Sequence, residues 1–172
     1  GHLCDYTLYG PPGDMDLSRV AVSASTGDFN PNQLRDAAHK SHITGDIVAH
    51  YLRWAAGKRG ITFAVDVELG AEHMAAFNQA GVPAAMITAK TPDRERAEKL
   101  DAFARGELLQ VVNVDIFGEG FDLPTLEVVS MARPTASYPL FEQTFCRALR
   151  TSPGKARGVI IDHVGNITRH GL

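Results

Sequence analysis

From Thr44 to Ile161 short apolar runs alternate with longer amphipathic stretches, and this alternation constrains the fold more than any other feature. The runs at 61–65, 84–87, 108–114, 126–131 and 158–161 are apolar nearly throughout, without the every-other-residue polarity of a half-exposed strand. Strands of that kind are expected where helices cover both faces of a parallel sheet. Between them, Ile47, Val48, Tyr51, Leu52 and Ala55 recur at helical spacing in a segment that Thr44 can cap and that ends near Gly57. A second helix is expected over 71–80, stopped by Gly81 with Pro83 beyond. Thr91-Pro92 opens a third, with Ala97, Leu100, Phe103 and Ala104 along one face. The pattern predicts a three-layer α/β domain with a mainly parallel sheet. Ligands in such sheets bind beyond the carboxyl ends of the strands, which directs attention to the segments after Val114 and Met131.

The stretch 1–30, rich in Gly, Pro and Asp, reads as an entry segment or linker, and 31–172 as the domain. Within the entry segment 20–24 is a candidate short strand; a helix is expected over 30–40, and Gly1-His2 receives no role. Hydrophobic residues make up 44% and charged residues 22%, so a packed core is expected and disorder is not. No apolar run approaches the roughly 20 residues of a membrane-spanning helix, and no secretory leader is expected. Two cysteines, Cys4 and Cys146, fit a reducing compartment, and a soluble cytoplasmic protein is expected. The net charge of −3 conceals an asymmetry, because the quarter from Arg133 onward is basic and the rest is acidic. A local anionic partner such as a phosphate group suits that distribution.

Two segments carry the chemistry. In the helix expected after Pro139, Gln143, Arg147 and Arg150 fall within about 60° of one another at 100° per residue. Phe141, Phe145, Ala148 and Leu149 fall on the opposite side. Guanidinium forks suit phosphate oxygens because they bond two at once and keep their charge. A solvated polar face explains the same pattern. The second segment, 113–124, follows a strand; Gly118 and Gly120 permit close approach of a ligand to the backbone, and Asp122 can accept from sugar hydroxyls. A plain strand-to-helix turn capped by Asp122 is the alternative.

Together, Glu119-Gly120-Phe121-Asp122-Leu123-Pro124 and Gln143-Thr144-Phe145-Cys146-Arg147-Ala148-Leu149-Arg150 resemble motifs V and VI of superfamily 2 helicases, in the second RecA-like domain. The resemblance extends to 61–66 as motif IV, to the helix led by Arg96, and to a tail like that of the bacterial and phage branch. That tail comprises Pro153-Gly154-Lys155, Asp162-His163-Val164-Gly165-Asn166 and Arg169-His170-Gly171. It implies that Arg150 is the arginine finger, with Arg147 beside it at the γ-phosphate. Gln143 would position the nucleotide or couple two domains, Asp122 would meet the ribose, and Gly120 would allow the approach. Asn113, Lys90 and Arg96 would face the nucleic-acid backbone, DNA ahead of RNA. Cys146 stands where the family usually has Gly, and Val114 where many relatives have Thr.

The sequence contains no Gly-x-x-x-x-Gly-Lys-Ser/Thr phosphate loop, nor the Asp-Glu pair that would hold Mg²⁺ in this family. Both belong to the first RecA-like domain. The resemblance therefore implies half of an ATP-dependent motor: ATP and Mg²⁺ act in the full-length parent, the partners are the missing domain and nucleic acid, and no membrane or bound metal is expected. A non-catalytic α/β nucleotide- or protein-binding module is the alternative. His39, His42 and His50 fall on or near expected helices, and no Cys/His spacing resembles a zinc site; His163 and His170 could approach phosphates but read first as surface or packing residues.

Overall fold

The computed structural model describes residues 5–116, 123, 125–147, 150 and 157–171, and of Phe145 and Arg147 the backbone only. The strands are β1 (Asp5–Tyr9), β2 (Gly60–Phe63), β3 (Ala84–Thr88), β4 (Gln110–Val114), β5 (Val128–Met131) and β6 (Arg157–Asp162). They form one six-stranded sheet in the order β1-β6-β5-β2-β4-β3, and every pairing is parallel. The helices are α1 (Pro31–His39), α2 (Ile43–Trp54), α3 (Val67–Gln79), α4 (Asp93–Ala104), α5 (Tyr138–Arg147) and α6 (Asn166–His170).

Alternate strand residues feed two cores. Val112, Val114, Val128, Val159 and Ile161 face Ile47, Tyr51, Leu69 and Phe77 of α2 and α3. Ile61, Phe63, Val111, Val129, Met131 and Ile160 face Phe103 of α4 and Phe141 of α5, with Ile167 of α6 beside them. The expected three-layer α/β architecture is what the chain adopts. Gly70 lets α3 lie close on the sheet: a Cβ there would stand 2.9 Å from both Met86 Sδ and Val114 Cγ2.

Several local expectations differ from the structure. Asp5–Tyr9, inside the stretch read as an entry segment, is an edge strand paired with β6. Among the described residues the 20–24 stretch makes a single bridge, Val22 to Phe29. α2 starts at Ile43 after His42, and the Thr44 hydroxyl bonds His73 Nδ1 at 2.9 Å. α3 starts four residues before the expected position, because Asp66 accepts from the Leu69 amide at 2.7 Å and caps it. On α4, Ala97 and Ala104 are exposed; Phe103 is buried, with Leu100 partly so.

Candidate functional site at the carboxyl edge of the sheet

Each of β2, β4 and β5 ends in buried apolar residues, and the chain leaving them carries the charges. After β2 come Asp66 and Glu68, after β4 Asp115, after β5 Arg133. With Leu34 and Arg35 of α1 and Val114, they line a cavity of about 380 Å³. Its guanidiniums are held by carboxylates: Arg35 Nε lies 3.1 Å from Asp66 Oδ2, and Arg133 Nη1 lies 3.5 Å from Asp28 Oδ2. Asp66 Oδ2 also meets His39 Nε2 at 2.9 Å. That bond raises the His39 pKa above its ordinary value. Burial works to raise the Asp66 pKa, but the Leu69 amide, His39 and Arg35 together hold it below the ordinary carboxylate value. The edge is thus a fixed, mixed-charge surface suited to polar ligands.

Asn113, at the end of β4, is 1% exposed. Its Nδ2 donates to the Ile116 carbonyl at 2.6 Å and its Oδ1 accepts from the Ile116 amide at 3.0 Å. Asp115, between them, adopts φ +59°, the left-handed region that non-glycine residues rarely enter. Asn113 therefore builds the turn that launches the chain toward 117–122. Lys90, exposed just past β3, donates its amide to Thr88 Oγ1 at 3.2 Å. Arg96, in the first turn of α4, is half-buried, and its Nε is buried without a hydrogen-bond partner among the described residues. Since β3 pairs with β4, with Thr88 opposite Val114, Lys90 and Asn113 lie on neighbouring strand ends.

Gln143 is exposed on α5, whereas Phe141 is buried at 3% and Thr144 is turned inward, its hydroxyl donating to the Leu140 carbonyl at 2.9 Å. Cys146 is a half-buried thiol whose pKa burial raises. α5 is described as far as Arg147; the helical-spacing argument covers Gln143 and Arg147 but not Arg150, which is exposed and outside the helix. Gly120 and Asp122 lie outside the described residues, as do Ala148 and Leu149.

Sequence reasoning missed Asp28, Asp66 and Arg133. Asp66 had a readable signal, an acidic residue directly before a helix. Asp28 had none, since it acts on Ala136 and Arg133, both remote in sequence.

Residues 44–152 match the model of the helicase conserved C-terminal domain. The chain belongs to that family. The fold and the family together make it the C-terminal RecA-like domain of a superfamily 2 helicase. A 51.5 kDa protein of a Lactococcus phage is 36% identical over 170 residues, covering 99% of this chain and 36% of its own length. The Saccharomyces cerevisiae protein called "Putative ATP-dependent helicase IRC3" is 29% identical over 166 residues, covering 95% of this chain and 24% of its own length. The chain thus spans about a third or less of the length of these curated relatives. Among solved structures, the Escherichia coli DEAD-box protein SrmB shares the fold with a TM-score of 0.64 at 19% identity. That match covers 92% of this chain and 76% of SrmB's chain. Among the described residues no helix is long and apolar enough to cross a membrane.

Proposed function

We propose that this chain is the C-terminal motor half of an ATP-dependent helicase or translocase, completed by a first RecA-like domain that carries the phosphate loop. The observation that carries the reading is a helicase C-terminal match over 44–152 in a sequence with no phosphate loop. Nucleotide would sit between the two halves. On this side Arg150 reaches the γ-phosphate as the finger, Arg147 stands beside it, Gln143 positions the nucleotide, and Gly120 and Asp122 take the ribose. The exposure of Gln143 and Arg150 supports that assignment, because a residue that meets a partner domain must be free of the core.

ATP bound with Mg²⁺ supplies the scissile phosphoanhydride and its charge neutralisation. This chain's own contribution is guanidinium charge brought up as the cleft closes. Lys90 and Arg96, together with the turn shaped by Asn113, would track the nucleic-acid backbone, DNA ahead of RNA. The test is ATP turnover with nucleic acid present: it requires both halves, and removing the Arg150 guanidinium stops it. Turnover by this chain alone would refute the reading.

A further inference from the structure

The segment 132–137 joins the buried end of β5 to α5, so whatever fixes this segment fixes how α5 presents its polar face. It belongs to none of the six strands, yet its backbone is heavily bonded: the Ala132 amide to the Phe63 carbonyl, the Ser137 amide to Thr135 Oγ1, and the rest largely to side chains from outside it. Asn166, at the start of α6 and 2% exposed, supplies two of these bonds. Its Oδ1 accepts from the Thr135 amide at 3.0 Å, and its Nδ2 donates to the Arg133 carbonyl at 3.1 Å. Arg169 braces the same side chain, donating from Nη1 to Asn166 Oδ1 at 2.6 Å and from Nη2 to the Val164 carbonyl at 3.2 Å. His170 Nε2 lies 2.7 Å from the Thr135 carbonyl, which can only accept, so the proton sits on Nε2. The His170 ring stacks on Phe141 of α5 with centroids 4.7 Å apart and planes 19° apart.

α6 is itself pinned. Asp162, at the end of β6, accepts from the Val164 amide at 3.2 Å through Oδ1 and from the Ile167 amide at 2.8 Å through Oδ2. From the opposite side Asp28 Oδ1 accepts from the Ala136 amide at 2.8 Å. Buried backbone groups left unpaired are costly, so these bonds hold the segment in one arrangement.

We propose that Asn166, braced by Arg169 and acting beside His170 on the same segment, is a positioning residue that sets the orientation of α5 and so delivers Gln143 and Arg147 to the nucleotide. It touches no nucleotide itself. The inference rests on the functional reading of α5 given above. A helix whose entry segment is held by Asn166, His170 and Asp28, and whose Phe141 stacks on His170, cannot rotate without breaking several hydrogen bonds together. A misplacement of about 1 Å at reacting groups costs up to roughly 100-fold in rate.

The experiment uses the full-length parent and four variants. Asn166→Ala removes both bonds to the segment, and Asn166→Asp keeps the acceptor for Thr135 and Arg169. Arg169→Gln removes only the brace and serves if Asn166→Ala fails to fold. Asn78→Ala is the matched control: Asn78 makes the same pair of bonds, to Ala84 N and O at 3.0 and 3.2 Å, at the opposite edge of the sheet. Amide hydrogen exchange across 138–147 is measured beside steady-state kcat and KM for ATP. Asn166→Ala is expected to speed exchange in α5 and to lower kcat about tenfold with KM within about twofold. Asn166→Asp recovers part of the loss, Arg169→Gln shows a smaller effect of the same kind, and Asn78→Ala leaves both readouts unchanged. Unchanged α5 exchange in Asn166→Ala and Arg169→Gln overturns the proposal whatever the turnover. Faster exchange with normal kcat also overturns it, and there Arg150→Ala separates the two failures. If that variant is dead, only the positioning role is lost; if it too is active, the functional reading falls with it.

Discussion

Acid is predicted to unfold this domain through two buried imidazoles. His163 is 3% exposed and His73 1% exposed. Burial pushes the His73 pKa down to about 4, and burial with the neighbouring His50 and His73 pushes that of His163 down to about 3, from an ordinary 6.5. The His163 ring bonds His50 through the two Nδ1 atoms at 3.1 Å, and its buried Nε2 has no hydrogen-bond partner among the described residues. Both rings stay neutral in the fold at pH 5, while the unfolded chain protonates them below about 6.5. The unfolded state then binds more protons, so stability falls as pH falls. Each group loses about 1.36 kcal/mol per pH unit between 6.5 and its folded pKa, or about 2 kcal/mol each at pH 5 relative to pH 8. His39 opposes this: its raised pKa gives stability that is complete below 6.5 and is lost as pH rises through the folded value. The net expectation is a loss of about 2–4 kcal/mol, or a fall in Tm of roughly 4–16 °C at ~2–4 °C per kcal/mol. Urea denaturation followed by circular dichroism from pH 8 to 5 measures it. In His73→Gln, where an amide can still bond Thr44, the slope should drop by about one proton. Stability that stays flat from pH 8 to 5 would refute the argument.

Phe141→Ala should destabilise the domain by about 3–5 kcal/mol in the same denaturation assay, because it empties a site packed among Phe63, Met131 and the α6 contacts. Gln143→Ala, on the exposed face of the same helix, should stay within about 0.5 kcal/mol of wild type. Gly70→Ala should cost about 1–3 kcal/mol despite better helix propensity, since its methyl meets Met86 and Val114 at 2.9 Å; a stabilised variant would show that α3 can lift off the sheet freely.

The layers were legible because parallel strands covered on both faces read as nearly continuous apolar runs, and β2 to β6 largely do, with Thr62, Gln110, Asn113, Ser130 and Asp162 as buried polar exceptions. β1 was not, since Asp5 and Tyr6 are exposed at the sheet edge and leave no apolar run to read. The opposite error occurred at 20–24, where small and β-branched residues suggested a strand but, among the described residues, one bridge is all the pairing it makes. The site was half legible. Gln143 on an exposed face and Phe141 in the core follow directly from a 3.6-residue period. Arg150 does not, because a period says nothing about where the helix stops. Asn113 was read as a residue facing nucleic acid, and the structure gives both its amide atoms to a turn. Asp28 and Asn166 act across about 108 and 31 residues of sequence, and no local pattern announces a side chain that serves a remote loop.

The half-motor reading stands or falls on Arg150. In the full-length parent, with nucleic acid present, Arg150→Ala should lower ATP turnover by roughly 10³–10⁵. That is about 4–7 kcal/mol of barrier at ~1.36 kcal/mol per decade. Because the residue is exposed, the melt should be unchanged and ATP binding retained. Arg150→Lys should recover little, since an ammonium cannot reproduce the guanidinium fork. Turnover near that of wild type in Arg150→Ala, with fold and nucleotide binding intact, would contradict the account.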